Sequence, residues 1–436
     1  MPARRPLVCS IAFALASALG AAHAYQLDYS LSTALGYSDN IAQSATDQTG
    51  QGMLIPRLDF DWREDGSLLR ARVAGQIEYR DYLQGAYGNE FRGRLTGIGE
   101  WLIVPGRLRF DVEDYAAVQP VNLLAPNAPS NQQQTNVFTL GPTLNFHLPQ
   151  ALDGQAELRA SESSASQTHE FDSTRASVAL RALRSISHVQ KLSANVEYEE
   201  VHFTDRNGGP DYHRADAFAR YQSKLSQLDI DVAAGWSRLE YPEGAQHSGA
   251  LLRGALNWRA TPSQTFTLSA ARQFADASAD LVVDPAAWMS NTTLAPSGGI
   301  VTGTTPISSQ VYLERRVDAA WAYQSERLRL RVEPYVRTLD YLINPVLDEN
   351  ARGLVAGVSY RPRPLWTVAF DVTDETRRFD AIARHDEDRR YDLSFTDQLA
   401  RQWSVRLDLI RNERHSNVAL QGFRENVAFC SLIYKR

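Results

Sequence analysis

Cysteine is almost missing from this chain: two in 436 residues, Cys9 and Cys430. Cys9 falls inside a segment read below as a cleaved leader, so no intramolecular disulfide is expected and a disulfide scaffold is excluded. Lysine occurs only at Lys191, Lys224 and Lys435. No run of about eighteen consecutive apolar residues exists outside the leader, which excludes a helical membrane span. Neither Gly-x-Ser-x-Gly nor His-Glu-x-x-His is present, and the histidines fall mostly in loops or turns. No enzyme, cofactor or metal is therefore expected. The nearest thing to a cation site is the acidic stretch Asp386-Glu387-Asp388, which also reads as a solvated charge run. No repeat of fixed period supports a propeller or β-helix. The net charge of −6 is spread along the chain, without the clustered basic face that nucleic acid requires.

What is present begins with a processing signal. Arg4 and Arg5 precede an apolar segment, Leu7–Leu19, and Ala22-His23-Ala24 is an A-x-A cleavage site. Residues 1–24 are expected to be removed, leaving 25–436 as one domain. The whole chain is 43% hydrophobic by composition yet has a mean hydropathy of −0.36. Alternation reconciles the two numbers. From Leu69 to Tyr79 every second residue is apolar or small, with Arg70, Arg72, Gln76 and Glu78 between them. The same pattern resumes from Phe91 to Trp101 around Arg92, Arg94 and Glu100. Strands send successive side chains to opposite faces, so this is a hairpin with an apolar face and a charged face. It runs about eleven residues, the length at which a tilted strand crosses a bilayer.

The chain repeats this unit. Early strands are expected at Tyr25–Ser38, Gly52–Arg63, Leu68–Leu83, Phe91–Val104 and Leu108–Gln119, and late ones at Arg389–Phe395, Gln402–Arg411 and Glu425–Tyr434. About twenty strands result, with eighteen also compatible. Short connections such as Glu64–Ser67, Pro105–Arg107 and Gln324–Arg327 alternate with longer polar ones such as Asp39–Gln51, Ala275–Ser309 and Arg378–Asp388. An even count with segregated loop lengths implies an all-β, antiparallel up-and-down transmembrane barrel of the outer membrane, with short periplasmic turns and long extracellular loops. The apolar parity, carrying Trp62, Trp101, Trp236, Trp258, Trp321, Trp366 and Trp403, must then face lipid.

The other parity should line the lumen. Candidate pore-lining residues are Arg70, Arg72, Arg80, Arg92, Arg94, Glu78, Asp59 and Asp61, with the inward aromatics Tyr115, Phe218, Tyr312 and Tyr335. If the tight turns set the register, Arg70 faces Asp61, Arg72 faces Asp59 and Arg337 faces Glu314. Such charges read either as mutually neutralising cross-strand pairs or as a selectivity path. Arg80, Arg92 and Arg94 converge near the outer mouth, where they would hold acidic groups of a sugar polymer. The aromatics read either as a surface on which sugar rings slide or as lumen filler. The loop 275–309 contains Val282, Val283, Trp288 and Ile300, too apolar for a solvated tail, and is expected to act as a plug or constriction.

The first strand closes on Leu35-Gly36-Tyr37-Ser38-Asp39-Asn40-Ile41. This resembles the start of the β-barrel porin family found with exopolysaccharide biosynthesis and export loci, where a first strand ends on Gly-Tyr-Asp-Asp-Asn followed by Ile or Val. Ser38 departs from that pattern; Asp39 and Asn40 match it. The resemblance implies export or anchoring of an exopolysaccharide, with acidic polysaccharide and periplasmic export-complex proteins as partners beside the bilayer. It supplies no catalytic residues. A general or solute-specific diffusion porin is the alternative, and a barrel enzyme such as a lipase or protease a third. The chain ends Ile433-Tyr434-Lys435-Arg436, where such barrels usually end in Phe; either Tyr434, displaced by two basic residues, is expected to serve in that place or the terminus is atypical.

Overall fold

The structure is a computed structural model that describes residues 25–149, 152–205, 208–282 and 307–436. Twenty strands follow in order: β1 (Tyr25–Ser38), β2 (Gln51–Asp65), β3 (Leu69–Tyr82), β4 (Glu90–Val104), β5 (Leu108–Pro120), β6 (Gln132–Leu148), β7 (Leu152–Ala165), β8 (Ser173–Ser187), β9 (Gln190–Phe203) and β10 (Tyr212–Lys224). The second half comprises β11 (Leu228–Glu240), β12 (Gln246–Thr261), β13 (Gln264–Ala275), β14 (Tyr312–Gln324), β15 (Leu328–Tyr341), β16 (Glu349–Arg363), β17 (Trp366–Phe379), β18 (Arg384–Gln398), β19 (Trp403–Ser416) and β20 (Phe423–Lys435). Each strand pairs antiparallel with the next, and β20 pairs back onto β1 from Ser30↔Lys435 to Ser38↔Val427. The sheet is a closed barrel, so no strand edge is left unpaired.

Closure sorts the side chains as alternation demands. On the outside, Leu35, Phe91, Trp101, Val196 and Trp236 are each more than half exposed. On the inside, Glu78, Asp216 and Asp408 are buried. An apolar exterior around a charged interior suits a sheet that crosses lipid and inverts the arrangement of a water-soluble protein. The tryptophans are unevenly placed. Trp62, Trp101, Trp258, Trp321, Trp366 and Trp403 all lie within a few residues of the short-turn end; among the described tryptophans only Trp236 lies towards the other rim. Around them Trp258 stacks on Phe266, Trp366 meets Phe395 edge-on and Trp403 packs on Tyr434.

The interior is not charged throughout. Near the long-loop end the inward positions turn apolar. Ala34, Met53, Ile55, Tyr82, Val427 and Phe429 form one buried cluster with Ile41, and Val201, Tyr212 and Leu239 belong to another, which Phe274 joins from the end of β13 beyond its ladder with β12. The sequence marks this zone where both parities become apolar at once, as in Met53-Leu54-Ile55, a pattern of strands covered on both faces.

Register and one loop differ from expectation. The first hairpin turns two residues later than Glu64–Ser67, with the Gly66 N–H donating to the Leu69 carbonyl at 2.9 Å. Arg70 consequently faces Asp65, Asp61 faces Ala74 and Asp59 faces Gln76. Arg337 faces Arg316 and not Glu314. A shift of two or four residues keeps every side chain on its own face, so parity alone does not fix it. The loop expected over Arg378–Asp388 is a short connection between Phe379 and Arg384, with Ala383 in the left-handed region at φ 50°. Asp386, Glu387 and Asp388 are therefore strand residues, not a cation-binding loop; Asp386 pairs with Arg384, Glu387 with Arg389, and Asp388 with Arg377 and Arg414. The leader residues 1–24 and Val283, Trp288 and Ile300 lie outside the described residues.

The strand-end motif holds the barrel shut. Asp39 accepts from the Asn426 backbone and side-chain N–H groups, both at 2.7 Å. The buried Asn40 side chain donates to the carbonyls of Ser44 and Arg424, each at 2.9 Å, and Ser38 donates to Glu425 at 2.6 Å. Gly36 lies flat against the Phe429 ring, which occupies the place a Cβ would take. Ser38, Asp39 and Asn40 thus each tie the end of the first strand to the last.

Candidate functional site: the lumen and its strapped mouth

Each candidate lumen residue lies on the inward parity, and most meet an opposite charge. Asp59 accepts from Arg57 at 2.9 Å and from Gln76 at 2.7 Å. Asp61 binds Arg63 beside it and is reached diagonally by Arg72 at 3.4 Å. Arg70 has Asp65 and Glu100 as cross-strand neighbours. Arg80 bonds Glu78 at 2.7 Å, and Arg92 bonds Glu90 at 2.5 Å. Arg94 stands opposite Gln76, one inward step below Arg92. The basic trio near the mouth is thus interleaved with Glu78 and Glu90. The same holds across the lumen, where Asp111 meets Arg109 and Arg159, at 2.9 and 2.5 Å, and Glu197 meets Arg181 at 3.0 Å. Most of the wall is a lattice of compensated charge, with Arg316 opposite Arg337 and Asp371 opposite Asp392 as like-charge neighbours, and no ring of one sign is formed among the described residues.

The inward aromatics are packed and do not present free faces. Tyr335 donates to Glu375 and covers Gly353. Phe218 is buried with Ala233 and Leu251, with the Arg253 guanidinium 5.8 Å from its ring centre. Tyr115 and Tyr312 lie beneath the loop that follows β13. That loop opens with α1 (Ala277–Leu281), whose N-cap Asp276 accepts from the Ala279 N–H at 3.2 Å. Ala277, Leu281 and Ile307 pack against Tyr115, Val137 and Ala165 on β5, β6 and β7 and against Phe171 in the β7–β8 connection, well around the ring from β13. Asp276 binds Arg175 and accepts from the Tyr212 hydroxyl at 2.9 Å. Burial pushes the Asp276 carboxyl up, but Arg175 and these hydrogen bonds outweigh it, and the group ends below the usual carboxylate range.

A second strap comes from the β5–β6 connection. Its Leu124 carbonyl accepts from Arg384 at 2.6 Å and its Ala125 carbonyl from Arg414 at 3.1 Å. Arg384 and Arg414 belong to β18 and β19, so the connection runs as a chord over the mouth. Asn131 stiffens it by donating to the Asn122 and Pro126 carbonyls at 2.8 and 3.0 Å. Backbone carbonyls leave no trace in the residue types, and nothing in the sequence marked this strap. The two segments together narrow the long-loop end of the lumen.

Similar folds occur among solved structures. A mutant of the ferric enterobactin receptor PfeA from Pseudomonas aeruginosa is 10% identical; the match covers 95% of this chain and 81% of that one, with a TM-score of 0.49. The FrpB iron transporter of Neisseria meningitidis (F5-1 variant) is 9% identical over 94% and 82% of the two chains, TM-score 0.44. The outer membrane protein OpdK of P. aeruginosa is 9% identical over 94% and 99%, TM-score 0.38. At these identities the likeness bears on neither substrate nor mechanism, and the barrel stands on its own strand pairing. No protein-family model matches the sequence, and no curated protein matches it either.

Asp280 is expected to make the mouth sensitive to pH. Burial pushes its carboxyl up to about 6, with the Glu314 charge adding to the effect and the Tyr312 hydroxyl, which donates at 2.8 Å, opposing it. A carboxyl raised in the folded state favours the packed arrangement most below its ordinary value near 3.8, and that contribution is lost as pH rises through about 6. Channel openings are expected to be rarer at pH 5 than at pH 7.5. D280N should abolish the difference, and an equal difference in D280N would show that another group titrates.

Proposed function

We propose that this protein is an outer-membrane channel that takes part in exopolysaccharide export. The observation that carries this reading is the lumen wall, where acidic and arginine side chains compensate one another both along single strands and between strands. A wall of this kind offers donors and acceptors at every step to a hydroxyl-rich chain, and no strong trap for a small ion of either sign. The resemblance of Gly36–Ile41 to exopolysaccharide-linked barrels supports the same reading, although those residues act here in closing the barrel. On this proposal the long loops are extracellular and the short turns periplasmic. Acidic polysaccharide occupies the lumen, and periplasmic export proteins meet the short-turn rim.

Single-channel recording on the refolded barrel in planar bilayers tests the idea. A steady conductance that acidic oligosaccharide blocks is expected. Steady conductance without block would replace the proposal with a diffusion porin. A barrel that never conducts, in wild type and in variants with loosened straps, would leave no transport role.

A further inference from the structure

The outer wall carries a feature that the lumen reading does not use. Arg272 on β13 and Arg315 on β14 are direct cross-strand partners. Both project outward, since their neighbours Gln273 and Glu314 bond to each other at 3.0 Å on the inner face. Like charges directly opposite each other weaken a sheet. Arg315 shares its charge with Asp340 on β15, whereas Arg272 has no carboxylate partner among the described residues. Arg272 is held in place instead by donating to the Ala250 carbonyl. It can do so because the β12–β13 ladder ends at Leu252↔Arg272 and Gly249 leaves room, a Cβ there lying 3.2 Å from Arg272 Nη1. The row continues in register with polar groups: Thr338 opposite Arg315, then Asn350, then Arg378. Asp380 is bonded to Asn350 and Arg378 and does not reach Arg272.

Next to this row lies a groove of about 620 Å³ on the outer wall. Its floor is made of small residues, Ala234, Gly254 and Ala270, between Val232 and Val317. An arginine facing lipid costs about 2–4 kcal/mol at the midplane and close to nothing near an interface. The arginine row, three residues from the long-loop ends of β13 and β14, therefore belongs at headgroup level with the groove running into the hydrocarbon.

We propose that this surface binds a phosphorylated glycolipid of the outer leaflet. The phosphate lies between Arg272 and Arg315 and relieves their repulsion, the sugar hydroxyls face Thr338 and Asn350, and one acyl chain fills the groove. The proposal rests on the outer-membrane placement but not on what passes through the lumen.

Native mass spectrometry of the full barrel, released from micelles containing bisphosphorylated lipid A, tests it. Wild type is expected to keep one lipid A. The double variant R272Q/R315Q should keep it about tenfold less, as the loss of charge-assisted hydrogen bonds predicts. G254L, which fills the groove on a face where the nearest atom to a Cβ is a Val232 methyl at 3.7 Å, should lose it without any change of charge. Phosphate-free lipid A should not be retained, and millimolar inorganic phosphate should not displace the bound lipid. Undiminished retention in either variant, retention of the phosphate-free lipid, or displacement by free phosphate would each overturn the proposal. Conductance on the same preparations should match wild type, which separates failure here from failure of the transport reading.

Discussion

Replacing Arg384 and Arg414 with glutamine is expected to raise the single-channel conductance and the fraction of time the channel is open. These two side chains hold the β5–β6 connection over the mouth through the carbonyls of Leu124 and Ala125. Each is a hydrogen bond from a charged donor, worth roughly 1.5–3 kcal/mol. Losing both moves the balance between fastened and released strap by about two decades or more. The double variant also disturbs the lumen lattice, because Arg384 binds Asp386 and Arg414 binds Asp388. N131A avoids that complication. It leaves every lumen charge in place but removes the bonds to the Asn122 and Pro126 carbonyls that stiffen the strap. Both variants should conduct more than wild type. If neither does, the connection is an ornament of the mouth and the constriction lies elsewhere.

A large effect on folding is expected at Gly235. Its missing side chain makes room for the neighbouring strand: a Cβ there would overlap the Ala217 carbonyl oxygen and lie 2.5 Å from the Phe218 Cα. Both are backbone atoms of β10, held by the ladder Phe218↔Gly235, so neither moves cheaply. Overpacking against fixed atoms typically costs about 1–3 kcal/mol and sometimes more, and here it falls on a ladder the barrel needs in order to close. G235V should give little or no heat-modifiable folded band on cold electrophoresis. The control is G254V on the adjoining strand, where the new methyls point outward into ordinary contact. It should fold as wild type does. Normal folding of G235V would mean that β10 and β11 are held less rigidly than their ladder suggests.

The alternation in the sequence made the barrel legible, because closure in lipid leaves only one face for charge and one for tryptophan. Loop lengths separated the two ends of the barrel, short turns at one and longer connections at the other. Other features lay beyond that signal. Parity is indifferent to shifts of two or four residues, so the partners of Asp61 and Glu314 needed the turn geometry of Gly66–Leu69 and Ser325–Leu328. The start of β18 hid because Arg384, His385, Asp386, Glu387 and Asp388 are polar on both faces, which imitates a loop. The apolar zone under the mouth was written in Met53-Leu54-Ile55, but a uniformly wet lumen was the simpler expectation. The strap over the mouth depends on carbonyl groups common to all residues. The strand-end motif at Gly36–Ile41 was visible from the start, yet its work in joining β1 to β20 appears only with Asn426 and Arg424 beside it.

The crowding of tryptophans at one rim has a mechanical consequence. Indole rings settle at the border between hydrocarbon and water, so the short-turn end, with Trp62, Trp101, Trp258, Trp321, Trp366 and Trp403, is pinned to its leaflet surface. The opposite rim is bordered by arginines such as Arg272, Arg315 and Arg378, whose long stems adjust to depth. In a bilayer thicker or thinner than the barrel's own belt, the mismatch is taken up at the flexible rim while the pinned rim stays level. Membrane thickness would then act on the mouth and its straps and leave the turns undisturbed, making the channel a gauge of the leaflet in which it sits.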